Sequence, residues 1–444
     1  MKKYILLLIL ATTALVSCEE ELNLTDPSTL GVDQFVTDVV SAETAMNGLY
    51  DAVQSTYVAA AYPIMLGGLY SDNFDHTGSF PTFTEFNVNN ILVTNVNLRN
   101  LYSNHYEVIV RATNFLRTLE TVEADAMTAE EKSNYTAEAR AIRAFAYAKL
   151  VHWFGGIPII EKTVALDGIE ANDVARSSEG EVYNYVMSEL NAVEGKLADN
   201  GLFRFSNDAV TALKAKVLFN QNNYGAAKVE LSKLIGKYSL LPNYSDVFVN
   251  GNNPEAIMRI NYTVDDSTSL AFWFFFSDDG GRREVAPSQD LLDAFEAGDV
   301  RKDLIEGNDN ISTAFLNKYT DVATGTDQPY VFRYADILLM YAEVLAREND
   351  SNASTYINAV RTRAGLSDVN LNSGNVVDLI QQERRVELYG EGDRWNDIKR
   401  LGITQQVIEG KGLTYNPNFD LWPIPQDELD ANALINQEDQ NPGY

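Results

Sequence analysis

The sequence predicts a mainly α-helical protein in which paired helices build a scaffold and a loop-rich face with short β-strands is set into it. Three observations predict this. Apolar residues recur at helical spacing in long runs toward both ends of the chain, short polar turns separate neighbouring runs, and the periodicity lapses between residues 67 and 95 and again between 237 and 328. A chain of 444 residues that is 45% hydrophobic and 11% aromatic can bury a large core. Its 34 Lys and Arg oppose 63 Asp and Glu, a formal charge of −29 that repels phosphate backbones and anionic lipid. No basic patch offsets that field, so nucleic-acid binding is excluded and an acidic glycan is disfavoured.

Lys2 and Lys3 precede an apolar run, Tyr4 to Ala14, that is too short to span a bilayer, and Leu15-Val16-Ser17-Cys18 closes it. Residues 1–17 therefore read as a cleaved signal peptide. Cys18 is the single Cys, so no disulfide forms within the chain. Its place at the end of the signal resembles the lipobox of bacterial lipoproteins, which implies a diacylated Cys18 as the mature N-terminus. Glu19, Glu20 and Glu21 resemble the surface-export signal of Bacteroidetes lipoproteins. Residues 18–40, with Asp26-Pro27-Ser28, read as a tether, and 41–444 as one domain with its scaffold at about 41–236 and 329–444.

Ser41 is the expected N-cap of a helix carrying Ala45, Met46, Leu49, Tyr50 and Val53. The first lapse then displays Tyr70, Asp72, Asn73, Phe74, Asp75, Phe80, Phe83 and Phe86 without regular spacing, as functional loops do. Helical period returns with Leu98, Leu101, Tyr102, His105, Ile109, Thr113, Leu116 and Leu119. Thr128 and Glu131 form a capping box for a long helix through Trp153, apolar nearly all round from Ala141 and stopped by Gly155-Gly156-Ile157-Pro158. Ser178 with Glu181, and Ser206, start two more helices, and Asn222-Asn223 turns the chain into a partner helix with Ala227 and Leu231. Runs at Tyr334–Ala346 and Ser354–Ala364 repeat the pattern, which resembles tetratricopeptide helix pairs.

In the second lapse, Glu255 to Tyr262 alternates like a strand, and Leu270 to Ser277, LAFWFFFS, reads as an aromatic one. Alternation sets Phe272, Phe274 and Phe276 on one face and Trp273 and Phe275 on the other, beside an exposed Asp278-Asp279-Gly280-Gly281 turn. Near the C-terminus, Glu383, Arg384, Arg385 and Glu387 have the spacing of helix-local ion pairs. Gly390 and Gly392 break that helix, and Asp393 and Arg394 open a short one around Trp395 and Ile398. The stretch is expected to be structural, tying the C-terminal helices to the scaffold.

Catalytic patterns are missing. His76, His105 and His152 lack metal spacing, and no G-x-S-x-G, H-E-x-x-H or Walker loop occurs. Nothing marks out one carboxylate pair for glycoside hydrolysis among so many acids. Asp278, Asp279, Asn308, Asp309 and Asp321 carry oxygen ligands suited to a structural calcium ion but lack EF-hand spacing, so no cofactor is expected.

Several segments, in order, resemble the SusD/RagB family of Bacteroidetes surface glycan-binding lipoproteins. They are the lipobox, Glu138 to Tyr147 running on to Phe154-Gly155-Gly156-Ile157-Pro158, Arg333 to Glu343, Asn358 to Gly365, Arg394 to Asp397, Pro423-Ile424-Pro425, and Gln440 to Tyr444. The resemblance implies a helical scaffold with a variable face, a SusC-type TonB-dependent transporter as partner, the outer-membrane surface as location, and binding of oligo- or polysaccharide without catalysis. It also assigns Trp153, Trp395 and Trp422 to the scaffold, which leaves Trp273 as the main candidate sugar platform, with Phe275 on its face. Asp72, Asn73 and Asp75 are the candidate acceptors, Phe80 and Phe83 further rings, and Asp278 and Arg282 polar edges. A neutral glycan, a β-glucan such as laminarin, fits the charge. The rival readings are a surface glycosidase and a peptide-binding adaptor.

Overall fold

The computed structural model describes residues 35–161, 174–308, 310–370 and 376–444. The signal peptide, Cys18, most of the tether and Asp309 lie outside the described residues. The fold is mainly α-helical with short strands only. It opens with α1 (Val39–Gln54), whose N-cap is Asp38 rather than Ser41. The Asp38 carboxylate accepts from the Ser41 N–H at 2.8 Å, and the Ser41 hydroxyl accepts from the Asp38 N–H at 3.0 Å, a capping box that starts the helix three residues early.

The first lapse is more ordered than the sequence suggests. It holds the end of α2 (Ala61–Tyr70), strand β1 (Phe74–His76) and α3 (Pro81–Asn87), elements too short to show a period. The scaffold follows, with α4 (Val96–Glu120) packed on α5 (Ala129–Phe154), α5 on α6 (Glu179–Val193), and α7 (Asn207–Asn220) on α8 (Tyr224–Ser232). The capping boxes at Thr128 and Ser178 and the Ser206 cap all form. Ala139, Ala141, Ala144 and Ala146 of α5 are buried because small side chains let the neighbouring helices close on it.

In the second lapse, β2 (Ala256–Arg259) is buried at every residue, so both of its faces are covered and the expected alternation is lost. Leu270–Ser277 is not a strand. It forms two 3-10 helical turns, Ala271–Trp273 and Ser277–Asp279. Leu270, Ala271 and Phe274 are buried at helical spacing while Phe272, Trp273, Phe275 and Phe276 are half-buried. No strand pairs with this segment among the described residues. Its backbone is satisfied locally instead, with Phe274 N–H donating to Ala271 and Arg282 N–H closing back on Phe272 at 2.8 Å. Gly281 permits this fold-back, since a Cβ there would lie 2.3 Å from the Phe275 carbonyl oxygen.

Strand β3 (Val285–Pro287) pairs antiparallel with β1, and α9 (Gln289–Ala294) follows it. A hairpin of β4 (Ile305–Glu306) and β5 (Phe315–Leu316) precedes β6 (Tyr330–Arg333), the antiparallel partner of β2. Helices α10 (Tyr334–Arg347) and α11 (Ala353–Arg363) form the late pair, followed by α12 (Val376–Leu388), α13 (Arg394–Leu401), α14 (Thr404–Gly410) and α15 (Gln426–Ala431).

The charges of α12 and α13 pair across the fold rather than along one helix. Glu387, fully buried, lies 2.6 Å from Arg333, 2.5 Å from Arg363 and 3.1 Å from Arg301. Glu383 meets Arg301 and Arg361, and Arg384 meets Asp336 and Asp397. Burial opposes the Glu387 charge, yet the three guanidiniums hold its carboxyl well below the usual carboxylate range. The stretch ties the C-terminal helices to the scaffold, with partners that local spacing could not reveal. Trp153, Trp395 and Trp422 are buried, with Trp153 stacked on Trp422 at 5.3 Å and Trp395 edge-on to Tyr70 at 4.7 Å.

Candidate functional site

Three segments converge on one aromatic cluster. The connection into α2 brings Tyr57 and the first turn of α2 brings Tyr62, the two rings stacked at 3.9 Å and 17°. The start of α3 brings Phe80 and Phe83, and the first 3-10 turn brings Trp273. The Trp273 ring stands edge-to-face with Phe83 at 5.6 Å, Tyr62 at 6.0 Å and Phe80 at 6.1 Å, and its Nε1–H donates to the Ser269 hydroxyl at 2.9 Å. Tyr57, Tyr62 and Trp273 are half-buried and Phe80 is exposed, whereas Phe83 is 1% exposed and backs the others.

Charged groups fix the rim. The Arg282 guanidinium lies 4.1 Å over the Phe80 ring and its Nε donates to Glu284 at 2.9 Å. Glu284 also accepts from the Ser79 and Phe80 N–H groups and lies 3.0 Å from His76 Nε2, which holds the loop that presents Phe80. Gly78 leaves room for that carboxylate, since a Cβ there would fall 2.0 Å from it and push the Glu284 side chain aside. The result is a set of rings with uncovered area, edged by a guanidinium and phenol hydroxyls. A sugar ring offers apolar C–H faces and equatorial hydroxyls that match such a surface.

The sequence-selected residues divide. Trp273, Phe80, Phe83 and Arg282 come together, and Asp278 is exposed in the turn beyond them. Phe275 does not share the Trp273 face. It packs on Phe315 at 4.7 Å and, with Asp279, Glu306, Asn317 and Asp321, lines a separate open depression, because a helical turn rotates neighbouring side chains apart. Asp72 is 6% exposed and clamps Arg394 through two 2.7 Å contacts. Burial pushes its carboxyl up, but Arg394 and Arg385 hold it at about 2. Asn73 is buried and accepts from Arg385 at 3.0 Å. Both brace α12 and α13 rather than face solvent. Asp75 is half-buried within β1.

Tyr57 and Tyr62 were missed because they flank a helix break and meet only when α2 folds back. Among the described residues, no group of three or more His, Cys, Asp or Glu is placed to hold a metal ion. Asp321 is occupied by hydrogen bonds from Thr324 and Thr326.

The SusD family model matches residues 303–444, and a related model described as starch-binding and associating with the outer membrane matches residues 24–219. The chain belongs to the SusD/RagB family. A SusD-like protein of Formosa agariphila is 26% identical over 97% of both chains. Among solved structures, a SusD superfamily protein from Bacteroides vulgatus is similar with a TM-score of 0.83 at 21% identity, covering 92% of this chain and 100% of that one. A laminarin-binding SusD-like protein is similar with a TM-score of 0.80 at 25% identity and the same coverage.

Proposed function

We propose that this chain is a non-catalytic lipoprotein of the outer-membrane surface, anchored through Cys18, that captures oligo- or polysaccharide on the Trp273 platform and delivers it to a SusC-type TonB-dependent transporter. The observation that carries the reading is the convergence of Trp273, Tyr57, Tyr62 and Phe80 in one cluster, four rings that are each left partly uncovered. Burying ~100 Å² of a sugar face at ~25 cal/mol per Å² contributes about 2.5 kcal/mol per platform. Two or three platforms, less the cost of association, correspond to micromolar to millimolar affinity.

The glycan is uncharged, a β-glucan such as laminarin. The charge of −29 disfavours polyanions, and the similarity to a laminarin-binding protein supports the choice. Affinity electrophoresis through laminarin tests both site and ligand. The wild type is expected to be retarded and Trp273→Ala to migrate as it does without glycan, a loss of at least about tenfold in affinity for ~2 kcal/mol. Unchanged retardation in Trp273→Ala would sink the site. No retardation by laminarin or other neutral polysaccharides would sink the glycan reading in favour of a peptide-binding adaptor, and oligosaccharide release by the purified protein would establish a glycosidase.

A further inference from the structure

The aromatic segment that carries Trp273 has a second side. Phe275, which the platform does not use, meets Phe315 at 4.7 Å and 61° in the lining of an open depression of ≈ 610 Å³. That volume lies within the roughly 300–1,000 Å³ of small-molecule sites. Besides Phe275, the second 3-10 turn contributes Asp279, the β4–β5 hairpin Glu306 and Phe315, and the chain after β5 Asn317 and Asp321.

The backbone here is under strain. Arg283 has a φ of +46°, which residues with a side chain rarely adopt. Its guanidinium donates at 2.9 Å to the carbonyls of both Ile311 and Ala314 and lies 4.5 Å over the Phe276 ring, which ties the turn to the hairpin. Arg282, the residue before it, lies 4.1 Å over Phe80 on the platform. Consecutive arginines therefore brace two separate aromatic surfaces.

Phe275 and Phe315 are each half-buried, so ring area remains uncovered in the depression. Asp279 and Glu306 beside them are exposed and have no ion-pair partner among the described residues. The Asp321 carboxylate is taken up by the Thr324 and Thr326 N–H groups, each at 2.9 Å. No Lys or Arg lines the depression, so an anion would be repelled. A cation would gain little from carboxylates that stay hydrated. A neutral sugar matches both features, with C–H faces for the rings and hydroxyl donors for the acceptors.

We propose that this depression is a second glycan subsite, which takes another stretch of the neutral polysaccharide held by the Trp273 platform. Phe275 and Phe315 pack on a sugar ring, and Asp279, Glu306 and Asn317 accept from its hydroxyls. The inference rests on the glycan-binding reading of the platform. Trp273 and Phe275 are two residues apart, so their Cα atoms lie within ~7 Å and one long chain can engage both surfaces. The second contact is then intramolecular, and it raises avidity for polysaccharide without changing affinity for a short oligosaccharide.

Affinity electrophoresis through laminarin, paired with isothermal titration of laminaritriose, tests this on the purified protein. Phe315 belongs to the hairpin rather than to the Trp273 segment. Phe315→Ala is expected to weaken laminarin retardation about tenfold while trisaccharide affinity stays unchanged. Asp279→Ala alters only an exposed side chain, and it should weaken retardation about threefold with the same trisaccharide affinity. If Phe315→Ala fails to fold, Asp279→Ala decides alone. Trp273→Ala should lower both readouts. Retardation undiminished in the folded variants would overturn the second subsite and leave the platform standing. An equal loss of trisaccharide affinity would also overturn it, by placing both effects at one site. No retardation of the wild type would sink the glycan reading itself, and this inference with it.

Discussion

The ion-paired stretch from 383 to 400 and the Trp273 platform are both dense in residues that do chemistry elsewhere, and they are built on opposite terms. In the first, Glu387 is enclosed by Arg301, Arg333 and Arg363, and Arg384 spans Asp336 and Asp397, so each of these charges meets its partner out of contact with water. In the second, the rings meet edge-to-face and then stop, leaving Trp273, Tyr62 and Phe80 partly uncovered. Residue type therefore says little about function. What separates the two regions is whether interaction capacity is used up internally or left facing outward.

The sharpest way to break that comparison is Glu387→Gln. It leaves three buried guanidiniums short of one negative charge, and removing one partner of a buried network costs about 3–5 kcal/mol. Denaturant unfolding should show a loss of that size while the folded fraction still binds laminarin. Loss of glycan binding at unchanged stability would make the stretch functional after all.

Arg394→Ala probes the place where the two regions come nearest in sequence reasoning, since Asp72 was selected as a sugar ligand and is instead its ion-pair partner. The Asp72 carboxyl is depressed from 3.8 to about 2. Its contribution is thus fully present above pH ~4 and lost as pH falls through about 2, amounting to ~2 kcal/mol near neutrality. The stability gap between wild type and Arg394→Ala should therefore narrow between pH 4 and pH 2, with glycan affinity at neutral pH nearly unchanged. A gap that stays constant with pH would mean that packing rather than charge holds Arg394.

Much of the scaffold was legible because helices declare themselves twice, in the burial period and in their caps. Thr128 with Glu131 and Ser178 with Glu181 mark starts that the structure reproduces. Leu270–Ser277 was misread for a physical reason: a short apolar run carries too few residues to distinguish a period of two from one near three, and only the local closure onto Arg282 decides it. Glu383 to Glu387 had the right residues with the wrong partners, because Arg301, Arg333 and Arg363 arrive from distant elements. The platform was half legible. Trp273, Phe80 and Arg282 stand out in aperiodic sequence, whereas Tyr57 and Tyr62 become a pair only through tertiary structure.

The smallest expected effect belongs to Arg282→Ala and sharpens what the platform consists of. The guanidinium covers one face of Phe80 and shares Glu284 with the loop, and an exposed cation–π contact is worth about 0.5–1 kcal/mol. If Phe80 serves mainly as packing for Trp273, removing Arg282 frees a ring face and takes away donors to sugar hydroxyls. These changes oppose each other, so laminarin affinity should shift by no more than about fivefold. Glu284 keeps its contacts to Ser79, Phe80 and His76, so the loop stays in place. A loss as large as that of Trp273→Ala, measured by the same electrophoresis at unchanged thermal stability, would instead make Arg282 a principal ligand and move the centre of the site from the rings to the rim.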